Sequence, residues 1–296
     1  MNKMIMNRLT MLAVTLMASI ACFAQGNAKM TTTLLNQPHS VGDIVDLYEL
    51  RYYIVADNGG NCLELEVIGF ASDITGTVSS VYTTTPGDPT KVRDEYNGIL
   101  EIPSTYPAEE VGVKCYVSSI AANAFTATTC RGDDAKYKSK FADAAALVNK
   151  IRIDYSDEFP DAITIDNNAF GSLTGVTEVE NLTPGAKIEP ISTNAFATSV
   201  YKTAILTVTE LESTGHATVK AYAKTDGWKK FYKKSDGAIL LGDTTGDGNI
   251  NVFDINRIKK MIANTQEKTE AADFNGDGAV NVFDVNALKK VIAKTY

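Results

Sequence analysis

Asp243-Thr244-Thr245-Gly246-Asp247-Gly248-Asn249-Ile250-Asn251-Val252-Phe253-Asp254 is followed, thirty residues on, by Asp273-Phe274-Asn275-Gly276-Asp277-Gly278-Ala279-Val280-Asn281-Val282-Phe283-Asp284. Each stretch puts oxygen-bearing side chains at positions 1, 3, 5, 9 and 12. These are Asp243, Thr245, Asp247, Asn251 and Asp254, then Asp273, Asn275, Asp277, Asn281 and Asp284. Position 6 is glycine, where the chain must turn sharply, and Asn249 or Ala279 at position 7 offers a backbone carbonyl. A hard cation takes about six to eight oxygens, and this spacing wraps them around one point. Calcium is therefore the expected ion, one per loop and two in all, because magnesium demands a tighter octahedron. Asp243, Asp247 and Asp254 would otherwise crowd one another. Two like charges about 4 Å apart repel by about 4 kcal/mol at an effective dielectric of about 20. Two departures bear on affinity: position 12 is the shorter Asp rather than Glu, and Thr245 offers a hydroxyl at position 3. The plain alternative is a pair of Asp/Gly-rich turns without an ion.

After each loop the pattern predicts a helix. Phe253, Ile255, Ile258, Met261 and Ile262 form one apolar stripe, and Phe283, Val285, Leu288, Val291 and Ile292 form the other. Residues 237–242 do not predict an entering helix before the first loop. The loops follow the EF-hand ligand scheme, and two loop–helix units of this kind resemble a type I dockerin over about residues 242–296. The resemblance implies a cohesin module on a scaffold protein as partner. It places the contacts at Val252, Phe253, Lys259 and Lys260 and, in the second unit, at Val282, Phe283, Lys289 and Lys290. The two sets are identical, and docking in two orientations is a hypothesis that exchanging one set would test. Val-Phe stands where cellulosomal dockerins often carry Ser or Thr, which leaves the cohesin class open. Core packing for the phenylalanines and a solvated helix face for the lysines are the plain alternatives.

The middle of the chain carries its own repeat. Ile120-Ala121-Ala122-Asn123-Ala124-Phe125, Ile165-Asp166-Asn167-Asn168-Ala169-Phe170 and Ile191-Ser192-Thr193-Asn194-Ala195-Phe196 share the pattern Ile-x-x-Asn-Ala-Phe. Strand-like pieces lie around them at residues 99–102, 151–153, 176–179 and 204–208. A stack in which each turn adds one strand, one Ile and one Phe to a continuous core accounts for this, since no single unit buries its own face. The longer first gap contains either a degenerate unit or an insertion, for which Arg131 to Lys140 is the candidate. Before the repeats, Tyr52 to Val55, the turn Asp57-Asn58-Gly59-Gly60 and the alternating run Cys62 to Ile68 predict a β hairpin. These segments resemble the BspA-like leucine-rich repeats of bacterial surface proteins, with residues 219–231 similar to that family's closing helix. The resemblance implies recognition of a protein or glycan. Phe125, Phe170 and Phe196 are read as core plugs.

The N-terminus reads as an export signal: Lys3 and Arg8, then an uncharged apolar run from Leu9 to Phe23, then Ala24 before a cut. A lipid anchor on Cys22 is the alternative. The remaining Cys62, Cys115 and Cys130 have no metal-like spacing. A formal net charge of -8 argues against a nucleic-acid partner, and no other stretch is long and apolar enough to span a bilayer. His39 and His216 lie far apart, and no catalytic motif or phosphate-binding glycine loop is present.

The expected architecture is therefore α+β. A signal peptide (1–24) and a leader read as flexible (25–40) precede a short leucine-rich-repeat-like β solenoid with an N-terminal hairpin (41–237). A small all-α paired calcium loop–helix domain (238–296) follows. The expected role is that of a secreted or cell-surface, non-catalytic recognition protein. The alternatives are an accessory component of polysaccharide breakdown in a cellulosome-like complex and a calcium-stabilised structural surface protein.

Overall fold

The computed structural model describes residues 39–47, 50–58, 62–70, 98–126, 145–159, 161–209 and 215–293. The export signal, leader residues 25–38, the loop 83–90, the stretch 131–140, Cys22 and Cys130 lie outside them. No helix of the described residues is long and apolar enough to cross a membrane.

Hydrophobic alternation gives the first pairing; Gly59 and Gly60 of the expected turn lie outside the described residues. Strand β2 (Leu50–Asp57) runs antiparallel to β3 (Cys62–Phe70), and β1 (Ile44–Leu47) adds to the outer edge of β2. On its other side β3 takes β6 (Lys114–Ile120) in parallel, with β5 (Thr105–Tyr106) antiparallel to β6. Tyr52 and Tyr106, both buried, share a 2.7 Å hydroxyl contact that satisfies both polar tips inside the core. Cys62 and Cys115 are free thiols. Burial of Cys115, reinforced by Cys62, pushes its pKa up to about 12, so it acts as a small hydrophobe.

The three Ile-x-x-Asn-Ala-Phe copies stack directly on one another. Ile120 of β6 pairs with Ile165 of β8 (Thr164–Ile165), and the Ser192 amide donates to the Ile165 carbonyl. Phe125 donates its amide to the Ala169 carbonyl and Phe170 to that of Ala195. The rings follow: Phe125 and Phe170 stack at 5.4 Å and 7°, Phe170 and Phe196 at 4.9 Å and 21°. Ala124, Ala169 and Ala195 are buried where these backbones approach. Asn123 and Asn168 adopt left-handed backbone (φ 60 and 57), and Asn168 Nδ2 donates to Asn123 Oδ1 at 2.7 Å. Asn tolerates that region better than most residues. Phe125 touches Phe170 directly, so among the described residues no further ring stands between the first two copies.

Between the copies runs a second sheet, entirely parallel and in chain order: β4 (Ile99–Ile102), β7 (Lys150–Ile153), β9 (Glu178–Asn181), β10 (Ile205–Val208) and β11 (Lys233–Ser235). The register aligns Leu100, Ile151, Val179, Leu206 and Lys234 in one inward row. The outward row carries charge: Lys150 reaches Glu178 and Glu180 at 3.0 Å each, and Arg152 Nε lies 3.3 Å from Asp154. Strand β9 starts two residues later than the alternation of 176–179 predicts. Val176, just after the turn at residues 174–175, is buried on the core.

The stack closes on helices. Helix α1 (Ala108–Val111) lies before β6 and α2 (Thr198–Thr203) before β10; α3 (Ala217–Lys224) leads to a short 3-10 turn at Trp228–Lys230. Trp228, buried, donates Nε1–H to the Glu189 carbonyl at 3.1 Å and packs on Phe196 and Tyr222. Lys234 ends the inward aliphatic row. Its ammonium donates to the Phe231 carbonyl and lies 5.2 Å from the Phe274 ring centre. Burial lowers its pKa to about 7. The unfolded chain thus binds the proton that the fold rejects, so stability rises with pH above about 7, by at most about 1.4 kcal/mol per unit. The window closes near pH 9, where unfolded thiols ionise and Cys115 acts in the opposite sense. Urea midpoints between pH 7 and 8.5 should rise for the wild type and stay flat for Lys234→Met.

The C-terminal region is two loop–helix units, with α4 (Val252–Ile262) packed on α5 (Val282–Ile292). No helix enters the first loop; the second is entered by a single 3-10 turn, Glu270–Ala272. Asp254, Ile255, Ile258 and Met261 face inward from α4, and Asp284, Val285, Leu288 and Val291 from α5. The predicted apolar stripes need one correction. Phe253 and Phe283 are 67% and 65% exposed, and Ile262 is exposed as well. The phenylalanines sit at the second helical position, one residue before the inward face begins.

Candidate metal loops and docking face

Each loop is closed by its own carboxylates. Asp254 Oδ1 accepts from the Thr244 and Thr245 amides at 2.9 and 3.0 Å, and its Oδ2 accepts from the Asn251 amide at 2.8 Å. Asp284 repeats this with Asn275 and Asn281 at 3.2 and 2.8 Å. At loop position 1, Asp243 accepts from Gly246, Asp247 and Gly248. The position 9 residues Asn251 and Asn281 are helix N-caps: their Oδ1 atoms accept from Phe253 and Phe283 at 2.8 and 2.7 Å. Asp254 and Asp284 complete a capping box in each unit. The Asn251 and Asn281 side chains expected as ligands therefore also start the helices, a task that the ligand pattern alone does not reveal.

The remaining candidates line the loop mouths. Thr245 contacts Asp243 and Asp254 at 3.2 and 3.1 Å, and Asn275 Nδ2 donates to Asp277 at 2.9 Å. The Asp247 side chain accepts the Asn249 amide, and Asp277 accepts that of Ala279. The Ala279 carbonyl, expected to face an ion, accepts from Asn281 Nδ2 at 3.2 Å. Among the described residues no three His, Cys, Asp or Glu side chains converge as a metal cluster. Backbone N–H groups supply the positive counterpart of these carboxylates instead. The donors are all oxygens, of mixed charge, which suits a hard cation.

Besides Thr245 against Asn275 at position 3, the two loops differ in how the first carboxylate is paired. Both oxygens of Asp243 are paired. In the second loop Asp273, only 3% exposed, accepts the Gly278 amide through Oδ2, while its buried Oδ1 has no partner. A buried carboxylate oxygen left unpaired is costly, and a bound cation relieves it. Asp284 belongs to the same cluster. Burial raises its pKa, the amides of Asn281 and Asn275 oppose the rise, and Asp273 and Asp277 add to it by repulsion. The second loop therefore fits a divalent cation on its own geometry.

The outer surfaces of the two helices are alike residue by residue. Val252 and Val282 are 54% and 55% exposed, and the Phe pair, Lys259, Lys260, Lys289 and Lys290 are exposed too. Asn256 and Asn286 complete each surface, exposed between the phenylalanine and the lysines. Their place in the face is visible once the helices are written one beneath the other. The helices differ at Ile255/Val285, Arg257/Ala287, Ile258/Leu288 and Met261/Val291, all buried or half-buried. The exposed helical residues before the last turn are thus identical. Large apolar groups held in the open at matched positions are characteristic of a protein-binding surface.

Residues 241–293 match the family described as Dockerin type I domain. No curated protein and no solved structure matches the chain.

Proposed function

We propose, starting from a C-terminal region that matches the type I dockerin family, that this chain is an exported, non-catalytic recognition protein carried on a cohesin-bearing scaffold. Two calcium ions, one per loop, hold the module in its docking form. Asp243, Thr245, Asp247, Asn249, Asn251 and Asp254 would hold the first. Asp273, Asn275, Asp277, Ala279, Asn281 and Asp284 would hold the second. Bound calcium supplies positive charge where carboxylates crowd, and so contributes to folding of a unit too small to be stable on its apolar core alone.

The observation that carries docking is the identity of the two exposed faces, Val252-Phe253-Asn256-Lys259-Lys260 and Val282-Phe283-Asn286-Lys289-Lys290. Internal repeats drift apart wherever nothing constrains them. Within the two helices, the drift is confined to buried and half-buried positions. Equivalent faces would let one partner engage in either of two orientations.

Residues 41–237 are then the delivered cargo, read as BspA-like leucine-rich repeats. The stacked Ile-x-x-Asn-Ala-Phe copies and the chain-ordered parallel sheet support this reading, and its ligand would be a protein or glycan. The N-terminal features support export, with lipidation at Cys22 as the variant. An accessory role in polysaccharide breakdown follows if the cargo binds glycan.

The test is binding of the full chain to a panel of cohesin modules, in calcium and in excess chelator. Binding in calcium and its loss in chelator is the expected result. A calcium-bound chain that engages no cohesin sinks the docking reading and leaves a metal-stabilised structural end.

A further inference from the structure

We propose that the second loop is also the lock of a rigid joint between the C-terminal module and the repeat region, so that calcium there fixes the module's pose on its cargo. This rests on the calcium reading above and goes beyond it.

The two loops have nearly the same backbone but different surroundings. Gly246 and Gly276 occupy position 4 of their loops with φ 77 and 73. A Cβ on Gly246 would meet nothing within 4 Å. On Gly276 it would stand 2.3 Å from the Lys220 carbonyl oxygen and 3.2 Å from the Ala223 Cβ. Both contacts are on α3, the helix that closes the repeat stack. Nearby, Lys220 pairs with Glu270, on the 3-10 turn that feeds the second loop. The Gly242 amide donates to Ala271 on the same turn at 2.8 Å, and a Cβ on Gly242 would come within 2.9 Å of Phe274. Phe274, buried at loop position 2, covers the ammonium of Lys234 on β11.

The loop thus has two sides. One carries the unpaired Asp273 Oδ1 and Asp284, and the other rests on α3 and β11. Gathering the carboxylates on an ion fixes the backbone of residues 273–278, and that backbone is what α3 touches. The opposite face of α3 carries Tyr222, whose ring meets Trp228 at 5.3 Å and whose hydroxyl donates to the Thr183 carbonyl at 3.0 Å. Contact therefore runs from the second loop to the end of the phenylalanine stack. In the first loop, by contrast, a Cβ on Gly246 or Gly248 would meet nothing within 4 Å.

The experiment is hydrogen exchange of residues 217–224 in the full chain, with calcium uptake followed by calorimetry on the same samples. Calcium should slow exchange in this segment by about tenfold or more relative to chelator. Gly246→Ala and Gly276→Ala impose the same left-handed strain. Only Gly276→Ala should abolish the calcium-dependent protection of α3. Equal behaviour of the two variants overturns the joint. Should Gly276→Ala not fold, the wild type decides: calcium uptake with unchanged exchange in 217–224 overturns the joint alone. No uptake at all removes the calcium reading and the joint together.

Discussion

Phe170→Ala is expected to lower the stability of the repeat region by about 3–5 kcal/mol, the range for removing a large aromatic from a close-packed core. Its ring is the middle member of a stack, fully buried, with Phe125 at 5.4 Å on one side and Phe196 at 4.9 Å on the other. Deleting it removes two aromatic pairs, each contributing about 0.5–1.5 kcal/mol beyond burial, and leaves a cavity that the backbone cannot close. The flanking amides already hold the turns together, Phe125 to Ala169 and Phe170 to Ala195. Phe170→Leu should cost appreciably less, because it refills most of the volume. Urea unfolding followed by Trp228 fluorescence measures both. A loss below about 1 kcal/mol for the alanine variant would mean that the rings do not carry the stack.

The second large effect concerns docking, and it is non-additive. With two equivalent faces, Phe253→Ala removes one orientation and leaves the other. The single variant should lose about twofold in affinity for a cohesin, the weight of one mode among two. Phe283→Ala should behave the same way. The double variant loses the aromatic anchor in both modes. An anchor at an interface centre contributes about 2–4 kcal/mol, so the double variant should bind about 30- to 1,000-fold more weakly. Calorimetry of the four proteins against one cohesin reads the pattern directly. If one single variant already shows the full loss, docking uses a single face. Both aromatics are exposed in the free chain, so their removal should leave the module's own stability nearly unchanged.

The two loop–helix units and the three stacked copies were legible in the sequence because each repeats a short, strict pattern whose spacing is set by local geometry. The hairpin was legible from the alternation of its two strands. Three features were not. The 45-residue interval before Phe170 admitted two readings, since an insertion and a degenerate unit look alike in sequence. Phe253 and Phe283 joined the apolar stripe because periodicity records hydrophobicity, and exposure depends on where the helix starts relative to its loop. The close approach of Gly276 to α3 has no local signature. Gly246 looks the same in sequence, and only the tertiary contact separates them.

The inward row of the parallel sheet, Leu100, Ile151, Val179, Leu206 and Lys234, has a consequence for how such an array ends. A parallel sheet built by successive turns presents at its last rung the same template it used for every earlier one, and an open edge of that kind invites a strand from another copy. Here the last rung replaces an aliphatic side chain by an amine. The chain then doubles back, so that Ser235 meets Leu240 in an antiparallel bridge. An incoming strand would find a polar amine where the row needs a hydrocarbon, and a neighbour running the wrong way. The aliphatic row thus ends on a polar group, and Phe274 covers it.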